Sequence, residues 1–304
     1  MSFCTDCKQD ICDKTISSSC CAASVLYGML LFARRFDSRE ILLASEQQFV
    51  IDYAERLLIE FGIIPEQISV NKKAKEYQLS IEDADAIDRI LFDFGYTGSE
   101  TSFGINKDNF MCERCIPSFI SGCFLCGGTV GDPKNGYHLE FISHHNLLIN
   151  DFKTLLADNS FEPKEINRGY SRVLYFKDSE RIEDLLTFIG AQHSALELMN
   201  EKIIKDIRNS VNRRTNCENA NIDKIVRSSE KDIAAINLIY DVYGDDFLSP
   251  ELSEIAAARI ENPELSIEEI ARMMDPPISK SGANHRFRKI RAFAESIKQG
   301  ENNG

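Results

Sequence analysis

Lys280, Ser281, Asn284, His285 and Arg288 bring together, over nine residues, the donors and acceptors that read base edges in a DNA major groove. Arg286, Lys289 and Arg291 add cations suited to backbone phosphates. To act together these side chains must stand on one helix. Ser279 is placed to cap its N-terminus, and Ala283, Phe287, Ile290 and Ala294 recur at helical spacing, giving it an apolar stripe to bury. A preceding helix starts at the capping box Ser266/Glu269, carries Ile267, Ile270, Ala271 and Met274 on one face, and is stopped by Pro276 and Pro277. Two short helices around a tight turn, over about residues 265–298, have the punctuation of a helix-turn-helix. The plainer alternative is an amphipathic hairpin with a solvated charged face. The caps, the proline-bearing turn and a second helix dense in Arg, Lys, Asn and His favour the DNA-reading one.

The net charge of −13 argues against nucleic acid only until its distribution is considered. Residues 1–201 hold nearly all of the acidic excess. From Lys202 to Lys231 there are eight Lys and Arg against four Asp and Glu, and from Ser279 to Lys298 six against one. DNA affinity in such a chain rests on these segments and is salt-sensitive. Within the first lies the Asn- and Arg-rich stretch 208–221, poor in apolar residues; a solvated linker over 206–221 is expected. Arg213 and Arg214, with Asn212 and Asn216, could alternatively form a second DNA-contacting arm. The helix-turn-helix domain then covers 222–298, with helices near 223–243 and 249–261, and a disordered tail follows over 299–304.

The apolar run from Val25 to Ala33 is too short for a bilayer span, and the charged N-terminus lacks the apolar core of a signal peptide. A cytoplasmic, nucleoid-associated protein without membrane contact follows. Three of the ten cysteines' spacings are Cys-x-x-Cys: Cys4/Cys7, Cys112/Cys115 and Cys123/Cys126. A reducing cytoplasm disfavours disulfides, and Cys123 and Cys126 sit inside a helical pattern rather than on knuckles. The cysteines, Cys20-Cys21 included, are read as small buried apolar residues, and no metal or cofactor is expected. His138, His144 and His145 are read as hairpin-surface or core histidines.

Residues 1–205 form an α+β body in which one order of elements occurs twice, over about 15–100 and 113–200. The first half predicts a helix at 20–36, a strand at 40–44, a helix at 46–61, strands within 67–79 and a helix at 83–94. The second predicts a helix at 117–127, a hairpin at 129–143, a helix at 146–159, strands within 161–176 and a helix at 180–199. Each half opens with an apolar helix carrying a central glycine, Gly28 or Gly122. The absence of a side chain there lets two helix backbones approach, so a pseudo-twofold body with these helices packed at its axis is expected.

Four stretches carry a family resemblance: Cys20-Cys21; Phe124-Leu-Cys-Gly-Gly-Thr-Val with Tyr137-His-Leu-Glu; Asn212 to Lys224; and Asp275 to Lys289. Along nearly its whole length the chain resembles the bacterial regulator family WhiA. The resemblance implies a duplicated LAGLIDADG homing-endonuclease-like domain followed by an all-α helix-turn-helix domain like sigma-factor region 4. It also implies a sequence-specific transcription regulator acting on double-stranded DNA in cell division and chromosome segregation, or in sporulation. A protein partner is implied as well: a WhiB-type iron–sulfur protein in actinobacteria, division proteins elsewhere. In active LAGLIDADG nucleases each central helix ends in a carboxylate that holds divalent metal at the scissile phosphate. Aligned on the motif glycines, those positions are Ala33 and Gly127, and Asp132 lies in a hairpin turn with no counterpart in the first half. No catalytic residue and no enzymatic activity are therefore expected. Two other readings stay open: an active metal-dependent nuclease, and an adaptor for nucleoid or division proteins. For the acidic body, in which Gln67 to Lys75 offers only a small basic patch, protein or ligand binding ranks at least equal to DNA contact.

Overall fold

Where the central helices meet is decided by two residues without side chains. In the computed structural model, which describes residues 2–16, 18–100 and 102–301 (without side chains at 299–301), the chain divides into two compact units, Met1–Lys205 and Asp206–Gly304. In the first, α2 (Ser19–Leu31) crosses α5 (Cys115–Gly127) at Gly28 and Gly122. A Cβ on Gly28 would lie 2.1 Å from the carbonyl oxygen of Phe119 and 2.8 Å from the amide nitrogen of Cys123. A Cβ on Gly122 would lie 2.0 Å from the carbonyl oxygen of Val25 and 3.0 Å from the amide nitrogen of Met29. Each glycine thus meets the residues three before and one after its counterpart. The reciprocity is that of a pseudo-twofold axis between the helices.

Each half follows the same path from its central helix. The first continues through β1 (Arg35–Phe36), β2 (Ile41–Ser45), α3 (Gln48–Glu60), β3 (Ser69–Lys73), β4 (Glu76–Ile81) and α4 (Ala84–Asp93). The second continues through β5 (Gly128–Val130), β6 (Leu139–Ser143), α6 (Asn146–Asp158), β7 (Lys164–Arg168), β8 (Ser171–Phe176) and α7 (Ser179–Ile189). Their antiparallel sheets have equivalent orders, β1-β2-β4-β3 and β5-β6-β8-β7. Register follows the two-residue period: Ile41 faces Ile81 and Leu43 faces Leu79, while Leu139 faces Phe176 and Phe141 faces Leu174, all buried. The outer strands β3 and β7 carry polar residues and are mostly exposed. This is the expected α+β duplication.

Four expectations need correction. The helix predicted to reach Phe36 ends at Leu31, because the apolar run stops at the charged pair Arg34-Arg35. Arg34 turns to Glu76, Arg35 to Glu40, and the chain enters β1. Before it, α1 (Phe3–Asp13) was not anticipated; Phe3, Cys7 and Ile11 recur every four residues and are buried, so Cys4-x-x-Cys7 is part of a helix. The helix predicted over 180–199 breaks at Gly190, whose φ of 97° lies in the left-handed region that favours glycine.

The stretch 206–221, expected as a linker, is helical within α8 (Gln192–Tyr243), a helix of 52 residues. Residues 206–224 are all exposed, so the polar composition does report solvation. It does not report a break: no Gly or Pro occurs between Gly190 and Gly244, both at positive φ, and a helix persists where nothing interrupts its hydrogen bonding. In the second unit the C-terminal part of α8 packs with α9 (Pro250–Glu261), α10 (Ile267–Met273) and α11 (Lys280–Glu301) around Ile236, Ile255, Ile270 and Phe287. The tail expected from 299 is helical through Glu301; residues 302–304 lie outside the described residues.

Because backbone atoms stand where a methyl would go, Gly122→Ala should destabilise the first unit by about 3 kcal/mol, at the upper end for overpacking. A fall of about 10 °C in its thermal midpoint is expected. An unchanged midpoint by circular dichroism would show that the helices do not meet this closely.

Candidate nucleic-acid interface

Both capping devices around the turn are formed. The Ser266 hydroxyl accepts from the Glu269 amide at 3.3 Å, and the Glu269 carboxylate accepts from the Ser266 amide at 2.8 Å. The Ser266 amide, and after it the Ser266 hydroxyl, hold the Glu269 carboxyl below its ordinary pKa. Ser279 accepts from the Gly282 amide at 3.1 Å and starts α11. Ala283, Phe287, Ile290 and Ala294 are buried, which fixes the rotation of α11 about its axis. On the other side Lys280, Asn284 and Arg288 form one row at i, i+4, i+8, and Ser281, His285 and Lys289 form the adjacent row.

Of these, Ser281, His285, Arg288 and Lys289 are exposed and, among the described residues, outside any hydrogen bond or ion pair. Lys280 is exposed, 3.7 Å from Glu268. Asn284 is half-buried and donates to the Lys280 carbonyl at 3.0 Å, leaving its side-chain oxygen as an acceptor.

Two residues expected on phosphates have other work. Arg286 is half-buried against α9, donating to the Glu251 carbonyl at 3.3 Å and lying 3.7 Å from the Glu254 carboxylate. Arg291 binds the buried Asp232 at 2.8 Å. The opposite oxygen of Asp232 faces the buried Arg259 at 3.8 Å, and Arg259 donates to the Leu265 carbonyl at 2.6 Å with its guanidinium over the Phe287 ring. Burial pushes the Asp232 carboxyl up and the Arg259 guanidinium down, so desolvation outweighs the attraction of their neighbours. Sequence pattern could not separate these arginines from the exposed ones, because their acidic partners lie tens of residues away. Arg213 and Arg214 lie on the exposed stretch of α8, the first bonded to the Asn209 carbonyl and the second paired with Glu218 at 3.0 Å.

A family model described as the WhiA C-terminal HTH domain matches residues 211–294, and one described as the WhiA LAGLIDADG-like domain matches 116–208. A "Probable cell division protein WhiA" from Ruminiclostridium cellulolyticum is 36% identical over 314 residues, covering 98% of this chain and 99% of that protein. The chain belongs to the WhiA family. A relative of the same description from Clostridium botulinum is 34% identical over 283 residues, covering 90% of this chain and 89% of its own. The crystal structure of full-length WhiA from Thermatoga maritima matches with a TM-score of 0.61 at 23% identity, over 97% of this chain and 99% of that one. The WhiA N-terminal LAGLIDADG domain, solved alone, matches with a TM-score of 0.51 at 20% identity, over 63% of this chain and 94% of its own. The LAGLIDADG-like α+β fold with a helix-turn-helix domain is thus that of WhiA.

In this WhiA-type body Ala33 and Gly127 lie together in a cleft at the C-terminal ends of α2 and α5, lined also by Lys8, Phe32, Arg34 and His144. No carboxylate is among its lining residues. Lys8, buried, donates its ammonium to the Leu125 carbonyl at 2.9 Å, which neutralises the end of α5. Among the described residues the three hairpin histidines join no metal-holding group: His138 pairs with Glu140, His144 with Ser171, and His145 precedes α6. Sequence reading missed one constellation altogether. Cys20, Cys21, Cys112 and Cys115, assigned to the core, have their sulfurs within 4.8 Å of one another, with Cys112 exposed and Cys20 half-exposed.

Asp232→Ala strands two guanidiniums and should destabilise the second unit by about 3–5 kcal/mol. Hydrogen exchange of α9–α11 amides should then quicken ~100-fold or more, with the first unit unchanged. Equal exchange in variant and wild type would remove this ion cluster from the domain's stability.

Proposed function

We propose that the protein is a sequence-specific, non-enzymatic DNA-binding regulator of the cell-division type, reading double-stranded DNA with α11. The observation that carries it is the two-row face of α11, whose orientation is fixed by the buried stripe behind it. Lys280, Ser281, Asn284, His285 and Arg288 lie toward base edges and Lys289 toward the backbone. Arg286 and Arg291 support the helix from behind instead of touching DNA. Arg213 and Arg214 add phosphate contacts only in a complex that reaches α8, which makes them secondary. The relatives named as probable cell division proteins support the biological setting, and DNA as partner implies a cytoplasmic, nucleoid-associated location. Among the described residues no helix is long and apolar enough to cross a membrane.

Nuclease chemistry is opposed by the cleft at Ala33 and Gly127. Two-metal hydrolysis needs anionic oxygen ligands there, and the cleft's lining carries no carboxylate but a buried ammonium and an arginine beside the hydroxyls of Thr129 and Ser143 and the imidazoles of His144 and His145. Direct DNA reading by the two sheets is weakened by pairing of their arginines, Arg35 with Glu40, Arg168 with Glu140 and Arg172 with Glu165, which leaves only Lys72, Lys73 and Lys164 as cations on the outer strands. Arg168 and His138 hold the Glu140 carboxyl low against the effect of burial, so that pairing persists at neutral pH.

The domain limits follow the same division: a body over 1–205 and a reading domain whose motif spans about 265–298. Genomic fragments recovered by immunoprecipitation of the wild type supply the specific site for a binding assay. Arg288→Ala should weaken specific binding by roughly 1–3 kcal/mol, about 10- to 100-fold, and relax preference at one base position. Lys289→Ala should weaken all sequences alike and lower the salt dependence by about one charge, whereas Arg291→Lys should leave that slope unchanged. Full occupancy by an Arg288→Ala, Asn284→Ala double variant would remove α11 from DNA reading. Nicking of supercoiled DNA with Mg²⁺ or Mn²⁺ by the purified chain would overturn the non-enzymatic reading.

A further inference from the structure

The four-cysteine cluster stands at the end of the α2/α5 pair opposite the cleft of Ala33 and Gly127. Cys21 and Cys115 each lie seven residues before their motif glycine, Gly28 and Gly122, so they are equivalents under the pseudo-twofold axis. Both are buried in the first turns of parallel-packed helices, whose N-termini meet at the sulfurs. Cys20 comes from the same turn of α2 as Cys21. Cys112 comes from a knuckle before α5 in which the Cys115 amide donates to the Cys112 carbonyl at 2.9 Å.

We propose that Cys20, Cys21, Cys112 and Cys115 form a tetrahedral four-thiolate site for a single zinc ion. The Cys112 sulfur lies 3.5 Å from that of Cys115, 3.7 Å from Cys21 and 3.8 Å from Cys20. With zinc–sulfur bonds of about 2.3 Å, the edge of a tetrahedron of sulfurs is about 3.8 Å. A disulfide needs about 2.05 Å, and no pair here is bonded. An iron–sulfur cluster would interpose its own irons and sulfides between the thiolates and spread them further. A lone zinc ion fits the three spacings at Cys112, and the other sulfur pairs, all within 4.8 Å, need close by no more than about an ångström.

Chemistry agrees with geometry. Four thiolates around a divalent cation leave a net charge of −2, and two helix N-termini directed at the site favour that charge. Exposed Cys112 and half-exposed Cys20 give the ion a route from solvent. Cys7, Cys12, Cys123 and Cys126 lie elsewhere, packed in or against the apolar core, where burial pushes their thiols up, to about 12 for Cys12 and Cys126. Those are the apolar core residues expected from sequence. Cys20 and Cys21 lie in the first turn of α2 and Cys112 and Cys115 at the entry to α5, two per half, so the ion ties the halves together where, among the described residues, no sheet hydrogen bond does.

The full chain, purified under reducing conditions and stripped with chelator, is titrated anaerobically with Co²⁺ and then Zn²⁺. One equivalent of Co²⁺ should give thiolate-to-cobalt charge-transfer absorption and the intense visible bands of tetrahedral cobalt, and one equivalent of Zn²⁺ should bleach them. The exposed variant Cys112→Ser, whose substitution opens no cavity, should lose stoichiometric zinc while keeping wild-type far-ultraviolet circular dichroism. Cys217→Ser, on the exposed stretch of α8, should retain both bands and zinc. Absence of the tetrahedral bands in the wild type would overturn the proposal. So would their persistence at full intensity in both Cys112→Ser and Cys115→Ser.

Discussion

The approach of α2 and α5 at Gly28 and Gly122 is the constraint on which the first unit depends. Two helices whose backbones nearly touch present side chains outward all round, so each needs a cover, and each half supplies one sheet and its helices. The match of Leu43/Leu79 in one sheet with Phe141/Leu174 in the other follows from that demand: equivalent helix faces require equivalent apolar strands. Close approach also brings the helix ends together. At one end this gathers Ala33, Gly127 and the ammonium of Lys8; at the other it gathers four sulfurs.

Where the sequence was legible, local chemistry and tertiary role coincided. The capping box at Ser266, the cap at Ser279 and the stripe from Ala283 to Ala294 each act within one or two helical turns, so spacing alone reveals them. The glycines Gly28 and Gly122 were legible because nothing else explains a glycine among large apolar residues in a helix. Illegible features depended on distant partners. Arg291 and Arg288 look alike until Asp232, 59 residues before Arg291, claims one of them. Cys20 and Cys112, 92 residues apart, were each visible as part of a suggestive pair, but only the crossing of α2 and α5 makes the two pairs one constellation. The helix over 206–224 was hidden for another reason: Asn and Arg reported exposure truthfully, and exposure was mistaken for irregular backbone.

The helical unit shows how a small core can assign roles to cations of one type. Arg259 is buried between Asp232 and the Phe287 ring, Arg291 covers the same carboxylate from α11, and Arg286 braces α11 against α9. Three arginines are spent on fixing one helix. Arg288 and Lys289, which have no such partners among the described residues, are left on its outer face. A recognition helix needs this division, because base contacts discriminate only if the helix bearing them cannot roll to follow the wrong sequence.

Electrostatics limits how such a protein can hold DNA. A chain of net charge −13 repels a duplex once the two approach to within the screening length of about 8 Å, and of the first unit's strand arginines Arg35, Arg168 and Arg172 are paired with carboxylates. In the proposed complex, attraction would come at short range, from the exposed cations of α11 and of the exposed part of α8. A small number of phosphate contacts gives weak non-specific binding, and most of the affinity must then come from base contacts. In the complex proposed above the acidic body would add to discrimination: it lowers binding to every sequence alike, so that contacts from Lys280, Ser281, Asn284, His285 and Arg288 would decide which one is held.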